Sequence, residues 1–342
     1  MGVNLSGIME PKTVELQELE GKTVAIDAYN TIYQFLSIIR QPDGQPLCDR
    51  TGRVTSHLSG LLYRTANLIA SGIEPCFVFD GKPHPLKMAI LAERKERRER
   101  AMDEWEEAIE EGDIKRAFSK AQQTSKMTPE IRQSARELIS YLGLPTVEAP
   151  SDGEGQAAYM CSKGDVWAAA SQDFDSLLFG TPTLVRNMTI TGRRKVPGKD
   201  QYKDVRTEVI ESKGFLDSLG ITREQLVDVC ILMGTDFNPG ISGIGPKKGL
   251  KLIREHGDLE HVLEHTKYEV PLYQEVRDIF LNSKYTDEYS TVPSEIQRDD
   301  IIRMLEGYDF SIERIEGTLD RIEAARKNNK AKKSQKSLDS WF

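Results

Sequence analysis

Apolar runs in the first half of the chain repeatedly stop at aspartate. KTVAIDAY (22–29) ends on Asp27, PCFVFDGKP (75–83) ends on Asp80, and DVWAAASQDFDSLLF (165–179) delivers Asp173 and Asp175. Burying an unpaired carboxylate costs several kcal/mol, and neighbouring carboxylates repel each other. A lone aspartate at a strand end can cap a helix, but the DFD pair supplies two. Between these runs lie helical segments. TPEIRQSARELISYLG (128–143) has Pro129 near its start and Gly143 placed to end it. LPTVEAP then returns as a strand, and SDGEGQAAYMCSKG (151–164) opens another helix. Strands separated by helices predict an α/β fold with a mainly parallel central sheet flanked by helices. Ligands of such sheets sit beyond the carboxyl ends of the strands, so Asp27, Asp80, Asp173 and Asp175 are expected to converge on one acidic pocket.

With 342 residues, 38% hydrophobic and 29% charged, the chain is expected to be soluble and globular. It shows no signal pattern and no apolar window approaching the ~18 residues of a membrane span, which predicts a cytoplasmic protein without a membrane partner. Cys48, Cys76, Cys161 and Cys230 lie far apart without a CxxC pair, as expected of reduced thiols. The net charge of −8 argues against a polyanionic partner only on average. ERKERRER (93–100) is mostly cationic, and Arg326, Lys327, Lys330, Lys332, Lys333 and Lys336 crowd the last residues.

One insertion interrupts the alternation. Residues 86–123 are helical in propensity and heavily charged, with a Gly112-Asp113 break, which fits a solvated hairpin laced by i,i+4 ion pairs. From about 217 the chain becomes mostly helical, and after 325 its polar, Lys/Asn-rich composition predicts a disordered tail. The expected organisation is one domain over 1–325, made of parts 1–85, 86–127, 128–216 and 217–325, followed by the tail 326–342.

Acids at strand ends suggest hard divalent cations. Mg²⁺ takes oxygen ligands, and two such ions about 4 Å apart can clamp a phosphodiester during in-line hydrolysis. Asp152 and Glu154 fall in the first turn of the 151–164 helix and could join the set. Ser151-x-x-Glu154 also reads as a capping box that needs no metal. In ILMGTDFNPGISGIGPKKGLKLIREHG (231–257), Asp236 is followed by Gly240, Gly243 and Gly245, and Pro246 opens a helix bearing Lys247, Lys248 and Lys251. The spacing is that of neither a Walker loop nor a dinucleotide fingerprint. It resembles the glycine hairpin of helix-hairpin-helix motifs, which position DNA through phosphates; an ordinary helix-turn-helix with a basic face is the other reading. His261-x-x-Glu264-His265 matches a zinc-peptidase signature, but the segment is short and charged with no evident third ligand, and reads as an exposed helix.

The blocks VAIDAYNTIYQFL, FVFDGKPHPLK, APSDGEGQAAY, ASQDFDSLLFG and GTDFNPGISGIGPKKGLKLI occur in the order and spacing of the flap endonuclease family, over essentially the whole chain. These are structure-specific 5′ nucleases of DNA replication (Okazaki fragment maturation) and repair, and the compact length resembles the archaeal branch. The resemblance implies a PIN-like nuclease core, a helical arch over residues 86–127 that admits a free 5′ strand, and a helix-hairpin-helix DNA-binding region. It implies two Mg²⁺ ions, with Asp27, Asp80, Asp152 and Glu154 matching one ligand group and Asp173, Asp175 and Asp236 the other. The family commonly has Glu where this chain has Asp152, one methylene shorter. Lys87 and Arg94, on one helix face at i,i+7, match catalytic cations, and Tyr33 matches a base-stacking residue. Gly243, Gly245, Lys247 and Lys248 match the hairpin that grips duplex DNA, with a monovalent cation such as K⁺ on its carbonyls. Gly2 and Thr55 match DNA-contacting positions, Thr55 with the loop 41–54 where the family holds a 3′ flap. QKSLDSWF (335–342) resembles a motif for the sliding clamp (PCNA), through Gln335, Leu338, Trp341 and Phe342. The activity so implied is a Mg²⁺-dependent 5′ flap endonuclease and 5′→3′ exonuclease, acting on branched double-stranded DNA as a monomer; a related exonuclease or gap nuclease on the same core and a non-catalytic clamp-bound DNA adaptor are the alternatives.

Overall fold

A computed structural model of the chain describes residues 2–190, 192–195 and 202–339. The short β1 (Lys12–Val14) precedes β2 (Thr23–Asp27), which runs directly into α1 (Ala28–Ile38). Next come α2 (Ser56–Ala70), β3 (Glu74–Phe79), α3 (Lys87–Glu110), α4 (Ile114–Ala121), α5 (Pro129–Tyr141), β4 (Thr146–Glu148), α6 (Gly153–Lys163) and β5 (Ala168–Ala170). The chain continues through α7 (Asp175–Leu178), β6 (Thr183–Arg186), β7 (Gly192–Lys195), β8 (Tyr202–Val205) and β9 (Thr207–Glu211). The remainder is helical: α8 (Ser212–Leu219), α9 (Arg223–Met233), α10 (Pro246–His256), α11 (Leu259–His265), α12 (Tyr273–Leu281), α13 (Arg298–Glu306) and α14 (Ile312–Asp339).

Seven strands form one sheet in the order β1-β9-β6-β5-β2-β3-β4. The pairs within β6-β5-β2-β3-β4 are parallel, and only β9 makes antiparallel pairs, with β6 and β1. From β2 the chain steps outward to β3 and β4, then crosses back to β5 on the other side of β2. The order reverses beside β2, and such a reversal opens a crevice at the carboxyl ends of the strands. Side chains alternate across the sheet. Val24, Ile26, Phe77 and Phe79 are buried with residues of α1, α2, α5 and α14, while Ala25, Cys76, Val78 and Ala169 pack with Met160 of α6. Full burial of a Phe or Ile in such a layer stabilises the fold by about 1.5–3 kcal/mol. A further core joins α7 to α9, α10 and α12. No helix among the described residues is long and apolar enough to cross a membrane.

The expected helices carry their expected punctuation. Thr128 caps α5 by accepting from the Ile131 amide, Pro129 is its first residue, and Gly143 follows it at φ +62°. The 86–123 insertion is the hairpin α3–α4. It breaks at Gly112 (φ +70°), Asp113 caps α4, and the small residues Ala101, Ala108, Ala117 and Ala121 are buried where the helices meet. The expected disordered tail needs correction: α14 continues to Asp339. Ile315, Leu319 and Ile322 are buried in the core, and Arg326 donates to the Leu142 carbonyl at 3.0 Å, so the first half of α14 is anchored. Ala, Lys and Gln then favour continuation of the helix. Gln335 and Leu338 fall on its final turns; Trp341 and Phe342 lie outside the described residues.

Candidate active site

The adjacent strands β5, β2, β3 and β4 each release an acid at the same edge. Asp27 is the last residue of β2 and Asp80 follows β3; Asp152 and Glu154 follow β4, and Asp173 and Asp175 follow β5. The loop after α9 adds Asp236. What holds each of these in place is mostly neutral. Asp27 caps α1 by accepting from the Asn30 amide at 3.0 Å, and the Asn30 side chain donates to Asp173 at 3.0 Å. Asp80 accepts from the Gly153 amide at 2.5 Å, and Asp175 from the Val3 amide at 2.8 Å. Glu154 accepts from the Ser171 hydroxyl at 2.7 Å.

That last bond decides against the capping box. Asp152, not Ser151, is the N-cap of α6 and makes no side-chain cap bond. The first free amide of the helix goes to Asp80 instead, which leaves Glu154 turned toward the other acids.

Burial and mutual repulsion set the electrostatics. Asp27 is held well above the usual carboxylate range, by burial first and then by Asp80 and Asp173. Glu154 is raised well above its ordinary value by burial, Asp175, Asp27 and Asp173. Asp175 is pushed up to about 7 by burial, Asp236 and Asp173, against the Val3 amide. Burial also raises Asp80, although Lys87 and the Gly153 amide pull it back. Asp80 and Glu154 keep some area open to solvent, yet protein atoms crowd them closely enough that burial remains the largest push. Glu154 feels acids of both expected ligand groups and lies electrostatically between them.

Two cations reach in from the start of α3. Lys87 pairs with Asp152 and stands 5.3 Å over the Phe237 ring; Arg94 pairs with Asp236. Burial works against the Lys87 ammonium, but Asp152, Asp80 and Asp236 more than offset it and hold its pKa above the usual lysine range. Among the described residues, no three His, Cys, Asp or Glu side chains are closed into a cage around an ion.

The remaining expected residues divide into near and far. Gly2 is near: a Cβ there would come within 2.4 Å of Asp175 Oδ1, so a larger residue would displace that carboxylate. Tyr33 stands on α1, 37% exposed. Between α9 and α10, Gly240 (φ +72°) and Gly243 (φ +78°) turn the backbone, while Gly245, Lys247 and Lys248 are exposed at the start of α10. Thr55 is set apart, buried at the start of α2 with its amide on the Leu47 carbonyl. The H-x-x-E-H histidines point elsewhere: His261 Nδ1 meets Asp258 at 2.7 Å, and His265 Nδ1 meets the His261 carbonyl at 2.9 Å. Sequence reasoning missed Asn30 and Val3. Asn30 sits three residues after the capping Asp27, a position that could have flagged it; nothing local marks Val3.

Residues 1–101 match the XPG N-terminal domain and residues 143–236 the XPG I-region. Flap endonuclease 1 of Pyrococcus abyssi is 50% identical over 344 residues, covering 100% of this chain and 98% of its own. That of Archaeoglobus fulgidus is 48% identical over 343 residues, with all of both chains covered. The chain belongs to the flap endonuclease 1 family. The solved flap endonuclease-1 from Methanococcus jannaschii superposes with a TM-score of 0.76 at 38% identity, over 96% of this chain and 99% of that one. The catalytic core of Rad2 in complex with DNA substrate shares the fold at a TM-score of 0.66 and 23% identity, over 91% and 96% of the two chains. The flap endonuclease fold of this chain is thus the PIN-like nuclease fold, with its mostly parallel sheet flanked by helices.

Proposed function

We propose that the protein is a structure-specific nuclease that hydrolyses a DNA phosphodiester near the base of a 5′ flap, in replication and repair. One observation carries the proposal: four neighbouring parallel strands deliver acids to one edge, directly beneath Lys87 and Arg94. The donor set fits hard divalent cations. It is all oxygen, and Asp27, Asp80 and Asp175 accept from amides while no Lys or Arg pairs with them among the described residues. Asp27, Asp80, Asp152 and Glu154 would hold one Mg²⁺, and Asp173, Asp175 and Asp236 a second. When bound, the ions supply the positive charge that stabilises an in-line displacement at phosphorus.

This chain's own groups do the positioning. Lys87 and Arg94 offer charge to the scissile phosphate, and the exposed Tyr33 ring offers a face for the adjacent base. Gly2 beside Asp175 and the turn Gly243–Lys248 present backbone and ammonium groups to duplex phosphates, with K⁺ on the loop carbonyls. Thr55 and loop 41–54 serve the 3′ side of the junction. Gln335, Leu338, Trp341 and Phe342 dock on the sliding clamp, and the protein acts as a monomer.

End-labelled flap, nick and gap substrates, incubated with and without MgCl₂, test the proposal. The expected product is a flap strand released near its base only with Mg²⁺. Cleavage confined to nicks and gaps would make the protein an exonuclease or gap nuclease, and flap binding without cleavage a DNA adaptor. Deleting residues 335–342 should leave basal cleavage intact and remove stimulation by the clamp.

A further inference from the structure

Between α12 and α13, residues 283–297 carry no helix or strand. So long a segment without secondary structure in a compact domain is usually either functional or disordered. This one is tied down along its length. Ser294 and Gln297 donate their amides to the Gly143 and Tyr141 carbonyls at 3.0 and 2.8 Å, and Arg326 donates to the Ser294 carbonyl. The upstream half lies along α6, the helix whose first turn carries Asp152 and Glu154. Gln156, Tyr159 and Lys163 follow one helix face at i, i+3 and i+7, and each bonds to the strap. The Tyr159 hydroxyl and the Lys163 ammonium reach Asp287 at 2.9 and 2.7 Å, and the Tyr159 ring stacks on Tyr285 at 4.7 Å.

The innermost tie is the most specific. Gln156 is fully buried, and its side chain meets the Thr286 backbone twice. Its amide nitrogen donates to the Thr286 carbonyl at 2.9 Å, and its oxygen accepts from the Thr286 amide at 2.9 Å. A side chain thereby imitates one rung of a β ladder. Two residues earlier, Glu154 faces the acids; between them, a Cβ at Gly155 would stand 3.1 Å from Phe179. Three consecutive residues of α6 are therefore fixed on three sides, which leaves the helix no freedom to slide or turn.

We propose that Gln156 is a positioning residue of the acidic centre: by locking α6 to Thr286 of the strap, it sets where Asp152 and Glu154 stand. The inference rests on the reading of those acids as Mg²⁺ ligands. Groups behind metal ligands commonly alter metal affinity by 10–100-fold when removed. A buried side chain that only closes the core would change stability and leave Mg²⁺ affinity untouched.

The test compares Gln156→Ala, Gln156→Glu and Asp287→Ala with the parent, using calorimetric titration with MgCl₂ and flap binding in EDTA. Asp287 is exposed, so its variant folds even where Gln156→Ala does not, and it loosens the same strap. Gln156→Ala is expected to weaken Mg²⁺ binding on the order of tenfold, with flap affinity in EDTA within about twofold of the parent. Asp287→Ala should shift Mg²⁺ binding in the same direction by a smaller factor. Single-turnover cleavage should then recover at high MgCl₂. Parent-like Mg²⁺ affinity in folded Gln156→Ala, or in Asp287→Ala where the former fails to fold, overturns the proposal. A parent that binds no Mg²⁺ defeats instead the functional reading on which it rests.

Discussion

On the α3–α4 hairpin, Glu93, Glu104, Glu107 and Glu111 stand largely in water, each beside a cation: Arg97, Lys120 or Arg116. At the sheet edge, Asp27 and Asp175 are buried and take their hydrogen bonds from amides, while their nearest charges are other acids. The hairpin pairs contribute little to stability, since exposed ion pairs are worth about 0–1 kcal/mol. The edge acids oppose folding, because burial and repulsion both favour protonation. A fold carries such a cluster only where something else uses it, and the contrast separates a solvated charged surface from a chemical centre more sharply than charge counts do.

The largest expected effect comes from the edge. Asp175→Asn keeps an acceptor for the Val3 amide but removes a charge; flap cleavage should fall by roughly three orders of magnitude or more, with flap binding preserved. Retained turnover in a single-turnover assay would break the comparison at its centre. Lys87→Ala and Arg94→Ala come next, where the hairpin meets the edge. Each should slow single-turnover cleavage about 10²-fold, with flap affinity within a few fold, as for the loss of a group that stabilises transition-state charge. A loss seen only in affinity would return both residues to the general basic surface.

A buried titratable group outside both regions sharpens the comparison through pH. His57 is 1% exposed, with Nε2 on the Ser134 hydroxyl at 2.8 Å, and burial drives its pKa down to about 4 from 6.5. The folded protein refuses a proton that the unfolded chain accepts. Its contribution to stability is therefore intact above pH 6.5 and is lost as the pH falls toward 4, by on the order of 3 kcal/mol at ~1.4 kcal/mol per pKa unit. Urea titrations of the parent and of His57→Gln across that window should show the variant losing this part of the slope. Smallest of all, Arg116→Ala, which removes two exposed ion pairs of the hairpin, should shift unfolding free energy by less than ~1 kcal/mol and leave cleavage unchanged.

Much of the sheet was legible because Asp27 and Asp80 each close an apolar run of the right length, and parallel topology does the rest. The α3–α4 hairpin was legible in the Gly112-Asp113 break. Glu154 stayed between two readings, since Ser151-x-x-Glu154 has capping-box spacing and the groups that separate them, Asp80 on the Gly153 amide and the Ser171 hydroxyl on Glu154, come from elsewhere in the sequence. The late part of α14 was missed because composition speaks of the isolated chain, whereas Arg326 finds its carbonyl on the α5 turn. The antiparallel strands β1 and β9 and the β7–β8 pair escaped notice as short runs of three to five residues. The strap along α6 lay hidden in the stretch read as mostly helical from about 217, because its anchoring bonds go to α6 and to the turn after α5.

The Val3 amide on Asp175 has a further consequence for how this protein comes into being. Residue 3 must find residue 175, and Asp236 must arrive later still, before the acids share one cleft. Contacts of such long sequence separation form late. If these acids hold Mg²⁺ as proposed, a chain still emerging from the ribosome, however well its first strands pair, lacks the full set that cleavage requires. Cutting then waits for the turn after α9, which carries Asp236.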